Sequence, residues 1–435
     1  MSRVTSYREL KGDELANTLA AIESQFARLQ KQSQAQNRQL DLTRGKPSDA
    51  QLDMSDALDG ILEGNYLSAD GVDTRNYGGI RGLREARELG HELMGIPADL
   101  IMAAGNSSLE LMHSAMAFAC NTRWQDQKPG MICPVPGYDR HFTVCEAKDI
   151  AMHPVRLTDD GPDMDALDKQ VSADPALAGL WCVPRFSNPT GITYSDEVVA
   201  RIAQLPSKAA NKDFIVFWDN AYSVHALNDQ APKLANLMTA AESAGTQDNM
   251  FMFSSTSKIT FAGAGIAFFG GSTQTLDQFE DYLSSATIGP DKVNQLRTVK
   301  FLRGRLHEHM AAHAELLRPR FELVEQKLNE GLKGLDIASW TSPQGGYFVS
   351  LDCLPGLAKL IVSLAASAGV KLTAAGATWP GGVDPNDSNI RIAPTYPETN
   401  ELDAALDVLV SAIKLASARH FADAGNQISK KDRTL

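Results

Sequence analysis

Three short segments combine residues able to do covalent and proton-transfer chemistry, and each follows directly on an apolar run. After Phe214-Ile-Val-Phe-Trp218 comes Asp219-Asn-Ala-Tyr222, a carboxylate placed where the run stops. After Met250-Phe-Met-Phe253 come Ser254, Ser255, Thr256 and Ser257 and then Lys258, four hydroxyls and one amine. After Leu180-Trp-Cys-Val-Pro184, and two residues on, comes Ser187-Asn188-Pro-Thr-Gly191. Each has a plain reading on its own: a helix N-cap for Asp219, a solvated loop for the hydroxyls and Lys258, a turn for the third segment. Together they supply an amine that can attack a carbonyl carbon, a carboxylate, and amide and phenol donors. A fourth segment, Gly105-Asn106-Ser107-Ser108, precedes an amphipathic pattern in which Leu109, Met112 and Met116 share one face. Backbone N–H groups at such a helix start cap the helix or hold an anion, and the two roles are compatible.

The surrounding pattern decides whether these segments meet. Apolar runs at Met131–Val135, Gly179–Val183, Phe214–Trp218, Met250–Phe253 and Ile266–Phe269 read as buried strands. Helical patterns such as Ser108–Ala119 and Asp196–Leu205 lie between them. This alternation predicts an α/β fold with helices on both faces of a doubly wound sheet, whose ligands bind at the carboxyl ends of the strands. The three segments therefore fall along one edge. Leu15, Leu19, Ile22, Phe26 and Leu29 predict an N-terminal helix, and one long helix is expected over Lys292–Leu332. Beyond it come a strand at Tyr347–Leu351, a helix at Gly356–Ala368, a strand at Asn389–Ala393, a helix at Glu401–Leu415 and a polar, frayed tail from His420. The two ends are too small to stand alone and are expected to pack as a second domain: 1–65 with 316–435, around a large domain of 66–315.

Composition removes several classes of function. Among 435 residues, 43% are apolar and 22% charged, the balance of a globular chain and not of a disordered one. The net charge of −12 repels nucleic acid and anionic lipid. Five cysteines, odd in number and set in apolar stretches with no C-x-x-C pair, read as reduced core thiols of a cytoplasmic protein, with no metal implied. No apolar run approaches the ~20 residues that span a bilayer.

The order Asn188, then Asp219 with Tyr222 three later, then Ser255-x-x-Lys258 resembles the class I aminotransferases of fold type I, which use pyridoxal 5'-phosphate (PLP). The resemblance runs from Leu42 to Ile413, and S-N-P-T-G is its most specific motif. It implies a large domain with a mixed, mostly parallel seven-stranded sheet between helices, and a smaller α+β domain from both chain ends. Lys258 resembles the Schiff-base lysine, Asp219 the partner of the pyridine nitrogen, and Asn188 and Tyr222 the donors to the phenolic oxygen. Tyr138 stands at the ring-stacking position, and His141 matches a histidine that hydrogen-bonds the aspartate; an ordinary surface histidine is its plain reading. Asn106, Ser107, Ser108 and Ser255 are implied phosphate donors. Tyr77, in Asn76-Tyr-Gly-Gly-Ile-Arg-Gly-Leu, resembles a tyrosine that reaches the neighbouring subunit's phosphate, which implies a homodimer. Arg391 resembles the arginine that grips the substrate α-carboxylate, a job suited to its bidentate fork, and Gly45 the glycine that lines the substrate pocket.

One departure matters. Eight residues after the lysine, where the family usually has a phosphate-binding arginine, stands Ile266. The chain thereby resembles a divergent branch, like the actinobacterial-type aspartate aminotransferases. The expected reaction moves the amino group of an amino acid, L-aspartate before others, to the 2-oxo acid 2-oxoglutarate. Lys292, Asn294, Gln295 and Arg297 are candidates for a second substrate carboxylate, with ordinary helix surface as their plain reading. Other PLP transaminases and lyases share the motifs. A non-catalytic effector-binding module behind a winged helix is disfavoured by the 42 residues before Thr43 and by the acidic charge. Ser255-x-x-Lys258 also fits an acylation motif, but S-D-N and K-T-G are missing. Gly263–Gly270 lacks dinucleotide spacing, and His309 and His313 read as surface histidines because Met310 stands where a zinc protease has Glu.

Overall fold

Short apolar runs bounded by Gly, Pro and Asp become the strands of the protein, which a computed structural model describes over residues 5–36 and 39–432. In chain order they are β1 (Leu40–Asp41), β2 (Ile101–Ala103), β3 (Gly130–Val135), β4 (Ala151–Thr158), β5 (Gly161–Pro162) and β6 (Leu177–Cys182). Then follow β7 (Ile215–Asp219), β8 (Met250–Ser255), β9 (Ala267–Gly270), β10 (Ala338–Trp340), β11 (Val349–Cys353), β12 (Val370–Lys371) and β13 (Asn389–Ile392).

One sheet has the order β2-β9-β8-β7-β6-β3-β4-β5. Strands β4, β3, β6, β7 and β8 pair in parallel. Strand β9 lies antiparallel to both β8 and β2, so β2 points the same way as the parallel set. Seven strands match the expected sheet; the eighth, β5, is a two-residue antiparallel edge too short to register as an apolar run. Alternation along the strands sends side chains to opposite faces. On one face Trp181, Phe217, Phe251, Phe253 and Phe269 form an aromatic slab, with centroids 4.6 Å apart for Trp181–Phe217 and 5.3 Å for Phe217–Phe251. On the other, Leu180, Val216, Trp218, Met250, Met252 and Phe268 belong to the main hydrophobic core. Burial on both faces is why these strands read as unbroken apolar runs, and each large side chain so buried contributes ~1.5–3 kcal/mol.

The chain divides into two compact units. The large one comprises Asp49–Leu316 and Gln344–Gly346; the terminal one comprises Met1–Ser48, Leu317–Pro343 and Tyr347–Leu435. Residues 49–65, read from the sequence with the terminal segment, cluster with the large unit, because Leu58 and Leu62 join the same core as Leu83, Leu89 and Leu93. The terminal unit is α+β: an antiparallel sheet β10-β11-β13 and a parallel pair β1-β12, with helices Gly12–Ala35, Ala358–Ser367 and Thr399–Asp432. Two expectations are corrected. The pattern over Lys292–Leu332 is two helices, Lys292–Leu302 and Leu306–Leu332, broken where Gly304 takes φ +71°, a left-handed conformation that costs glycine no Cβ clash. The last helix does not fray at His420 but runs to Asp432; Leu415, Ala416 and Ala418 are buried, and Arg419 pairs with Glu23 of the first helix at 2.8 Å. Among the described residues no helix is long and apolar enough to cross a membrane.

Candidate active site

Because β2, β3, β6, β7 and β8 point the same way, the segments that follow them share one sheet edge. Asn106, Ser107 and Ser108 follow β2, and Tyr138 and His141 follow β3. Asn188 follows β6, Asp219 closes β7 with Tyr222 three residues on, and Ser255 closes β8 with Lys258 three residues on. The large unit thus sets these strand-end segments along one edge; Tyr77 follows none of these strands and stands 84% exposed.

Asp219 is two residues beyond Phe217 and so lies on the aromatic face. It is buried; His141 Nε2 sits 3.1 Å from its Oδ2, while its Oδ1 is buried with no hydrogen-bond partner among the described residues. His141 is itself buried, contrary to its plain surface reading. Its ring stacks on Trp181 at 4.2 Å with planes 9° apart, and the Tyr138 ring meets it edge-on at 5.0 Å. The Trp181 indole N–H donates to Cys145 Sγ at 3.3 Å. The core slab therefore holds His141, and His141 holds the carboxylate. Leaving a buried acceptor without a donor costs ~1–3 kcal/mol, more for a charged one, so Oδ1 has the capacity to accept an incoming N–H.

Lys258 lies in a turn in which Ile259 N–H and Thr260 N–H both donate to Thr256 O, at 2.9 and 3.0 Å. Its Nζ sits 5.1 Å from the centroid of the buried Tyr222 ring. Desolvation pushes the amine below the ordinary lysine range, and the Asp219 charge partly restores it. The turn is stitched to the chain just before β9: Ile266 N–H donates to Thr256 Oγ1 at 2.8 Å, and Thr256 N–H to Ile266 O at 2.9 Å. The Ile266 side chain is fully buried in the core, so apolar packing claims the place where the resemblance expects arginine. A Cβ on Gly265 would lie 3.0 Å from Ser257 N and Thr256 Oγ1, a close approach that favours glycine at this one position of the loop.

The helix Ser108–Thr122 begins where an anion could be held. Ser107 caps it, its Oγ accepting from Glu110 N–H at 3.2 Å; Asn106 Nδ2 donates to Gly263 O at 2.7 Å, and Ser257 Oγ to Asn106 O at 3.2 Å. A cavity of about 460 Å³ adjoins this loop, lined by Gly105, Asn106, Gly263, Ala264, Asn294 and Arg297 among others. Of the second-carboxylate candidates, Lys292 and Gln295 are buried instead of lying on the helix surface. Lys292 Nζ donates to the carbonyls of Asn76 and Gly78 on either side of Tyr77, and Gln295 bonds Leu83 N–H and Ala103 O, both at 2.9 Å. Asn294 Nδ2 donates to Ala264 O and Gly265 O, and Arg297 Nε donates to Asn294 Oδ1 at 2.9 Å.

Gly45 and Arg391 belong to the terminal unit. Arg391 is buried on β13, its Cζ 5.0 Å from the Phe348 centroid and its Nη2 3.3 Å from Thr373 Oγ1. A Cβ on Gly45 would lie 2.5 Å from Phe348 Cζ, so only glycine fits against that ring. Sequence reasoning missed Trp181, hidden inside an apolar run, and His225, three residues after Tyr222. It placed His309 and His313 on the surface; both are buried, because the face of their helix that carries them packs on the lysine turn.

A sequence profile of the family described as aspartate amino-transferase matches residues 10–425. An aspartate aminotransferase of Corynebacterium glutamicum is 40% identical over 400 residues, covering 89% of this chain and 92% of that protein. The crystal structure of an aspartate transaminase from Corynebacterium glutamicum superposes with a TM-score of 0.91 at 38% identity, covering 97% of this chain and 100% of that one. The α-aminoadipate aminotransferase LysN of Thermus thermophilus, complexed with N-(5'-phosphopyridoxyl)-L-leucine, shares the fold with a TM-score of 0.73 at 19% identity, over 87% of this chain and 92% of that one. The chain therefore belongs to the aspartate aminotransferase family of fold type I, and it is an aminotransferase.

Proposed function

We propose that this aminotransferase moves the amino group of L-aspartate to 2-oxoglutarate, using PLP as cofactor and acting as a homodimer. The observation that carries the cofactor assignment is the buried, unpartnered Oδ1 of Asp219, at the same sheet edge as an amine of lowered pKa and a capped helix N-terminus. Bound PLP supplies a carbon that accepts an amine and a protonated ring that draws electrons from the substrate's α-carbon. Asp219 keeps the proton on the ring nitrogen, and His141 keeps Asp219 from turning away. Asn188 and Tyr222 would donate to the phenolic oxygen, and Tyr138 would cover the ring. Asn106, Ser107, Ser108 and Ser255 hold the phosphate with help from the helix dipole. Ile266 brings no cation to it.

Lys258 moves the proton at the substrate's α-carbon. Its lowered pKa raises the fraction of neutral amine available as a base near pH 7. Arg391 takes the α-carboxylate through its fork, and Gly45 leaves room for the substrate. For a second carboxylate Arg297 is the candidate cation: it lines the cavity beside Asn106 together with Asn294, whose amide is committed to Ala264 O and Gly265 O, while Lys292 and Gln295 are spent on backbone carbonyls and amides. Tyr77, exposed on a segment that Lys292 fastens from both sides, reaches the phosphate of a second copy.

Substituting Lys258→Ala should abolish covalent retention of PLP after borohydride reduction and lower turnover by about 10²–10⁴-fold or more; normal turnover in that variant refutes the assignment. Mixing Tyr77→Phe with Lys258→Ala chains should regenerate activity above that of either variant alone, because hybrid dimers contain one intact site. Mixtures that stay at the sum of the two, or a fully active monomer by sedimentation, contradict the shared site. With 2-oxoglutarate as acceptor, aspartate should exceed alanine, leucine and phenylalanine in kcat/KM by about 10–100-fold, the worth of one charge-assisted pair. A preference for the apolar donors removes the dicarboxylate reading and leaves the aminotransferase intact.

A further inference from the structure

The backbone at Lys258 is gripped by buried imidazoles. His225 Nε2 lies 3.3 Å from the Lys258 carbonyl and His309 Nε2 lies 2.7 Å from the Ile259 carbonyl. His313 faces the same Ile259 carbonyl; its Nε2 is 3.2 Å from His309 Nε2 and its Nδ1 is 3.1 Å from Gln51 Nε2. All four side chains are buried. The turn Thr256–Thr260 lies outside helix and strand; Thr256 O takes backbone N–H groups from within the turn, while the Lys258 and Ile259 carbonyls meet side-chain donors. His225 also touches the lysine's other end indirectly, its ring meeting the Tyr222 ring edge-on at 5.8 Å while Lys258 Nζ lies over that same ring.

The contacts fix the protonation pattern. A carbonyl only accepts, so His225 and His309 carry their proton on Nε2. Gln51 N–H donates to His313 Nδ1, so His313 also carries its proton on Nε2, directed at Ile259 O; the two Nε2 atoms 3.2 Å apart are then two donors that share this carbonyl, not donor and acceptor to each other. We infer that His225, His309 and His313 are positioning residues: as neutral Nε2–H imidazoles they hold the carbonyls of Lys258 and Ile259 and thereby aim the Lys258 amine, a role that rests on the reading of Lys258 given above.

The surroundings keep the rings neutral. His225 is faced by Lys258, His313 and Arg185, with the Tyr222 phenol beside it; His309 by His313 and Arg305; His313 by His309. The charged neighbours are cations. Burial and these neighbours push His225 down to about 3 and His313 down to about 4, and lower His309. The unfolded chain binds these protons near pH 6.5. The cluster's contribution to stability is therefore complete above about pH 6.5 and is lost as pH falls toward 4 and then 3.

Two measurements decide it. In the protein without cofactor, selectively labelled with ¹⁵N-histidine, the three rings should show the neutral Nε2–H tautomer unchanged from pH 8 to pH 5. A cationic ring, or an Nδ1–H tautomer, at any of the three positions overturns the inference. With PLP added, His309→Phe should lower kcat by about 10–100-fold with KM little changed, and should shift the pH at which the cofactor's visible band changes. His309→Gln, which keeps an N–H donor, should restore most of both. His225→Phe is the second variant should His309→Phe fail to fold, with the same expected result. Wild-type kcat and band transition in whichever of these folds, with only Tm lowered, overturns positioning in favour of a purely structural role. A wild-type protein that shows no cofactor band at all overturns the reading of Lys258 itself, a result distinct from either.

Discussion

A carboxylate buried at the end of a central strand, with one oxygen left without a donor among the described residues, is the constraint around which the large unit is packed. Asp219 could not keep Oδ1 unpaired in water, where solvent would fill it, nor in a loose interior, where the side chain would turn to find a partner. It is kept in place by a chain of contacts that begins in the core. The aromatic slab fixes Trp181, Trp181 stacks on His141, and His141 occupies Oδ2. Packing that would be ordinary hydrophobic burial elsewhere here becomes orientation of a charged group, because the residue that follows Phe217 by two must share its face.

Lysine 258 meets the opposite requirement. In the role proposed for it the amine has to move, while the backbone beneath it has to stay. Burial sets the amine below its ordinary range, Asp219 limits how far, and the carbonyls behind it are tied to imidazoles that the same burial keeps neutral. The loop that closes the turn has no room for a long side chain near Gly265, and Ile266 is committed to the core. The loss of a cation at that position is thus coupled to how tightly the lysine turn is sewn to β9.

What could be read from the sequence follows from where each residue is buried. Strands β6, β7 and β8 are covered on both faces and stood out as apolar runs. Strand β4 carries His153, Pro154 and Arg156 and is partly exposed, and β2 has only three residues, so neither stood out. The site residues at strand ends were legible because motif spacing records them. The support for them was not: Trp181 looks like any core residue, and the helix bearing His309 and His313 shows charged neighbours such as Arg305 and Glu308 that hide its buried face. Gly304, unremarked within a long helical pattern, marks the break that separates the two helices. Leu58 and Leu62 carry residues 49–65 into the large core, a long-range contact that no local signal announces.

The affinity for PLP of the wild type and of Asp219→Ala, measured by titration together with the visible spectrum of the bound cofactor, tests the role of the unpartnered oxygen directly. One PLP per wild-type chain is expected, with binding about 10–100-fold weaker in the variant, the worth of a hydrogen bond to a charged group, and with an altered visible band. Equal affinity and an unchanged spectrum in Asp219→Ala would contradict the assignment of Oδ1 to the cofactor ring.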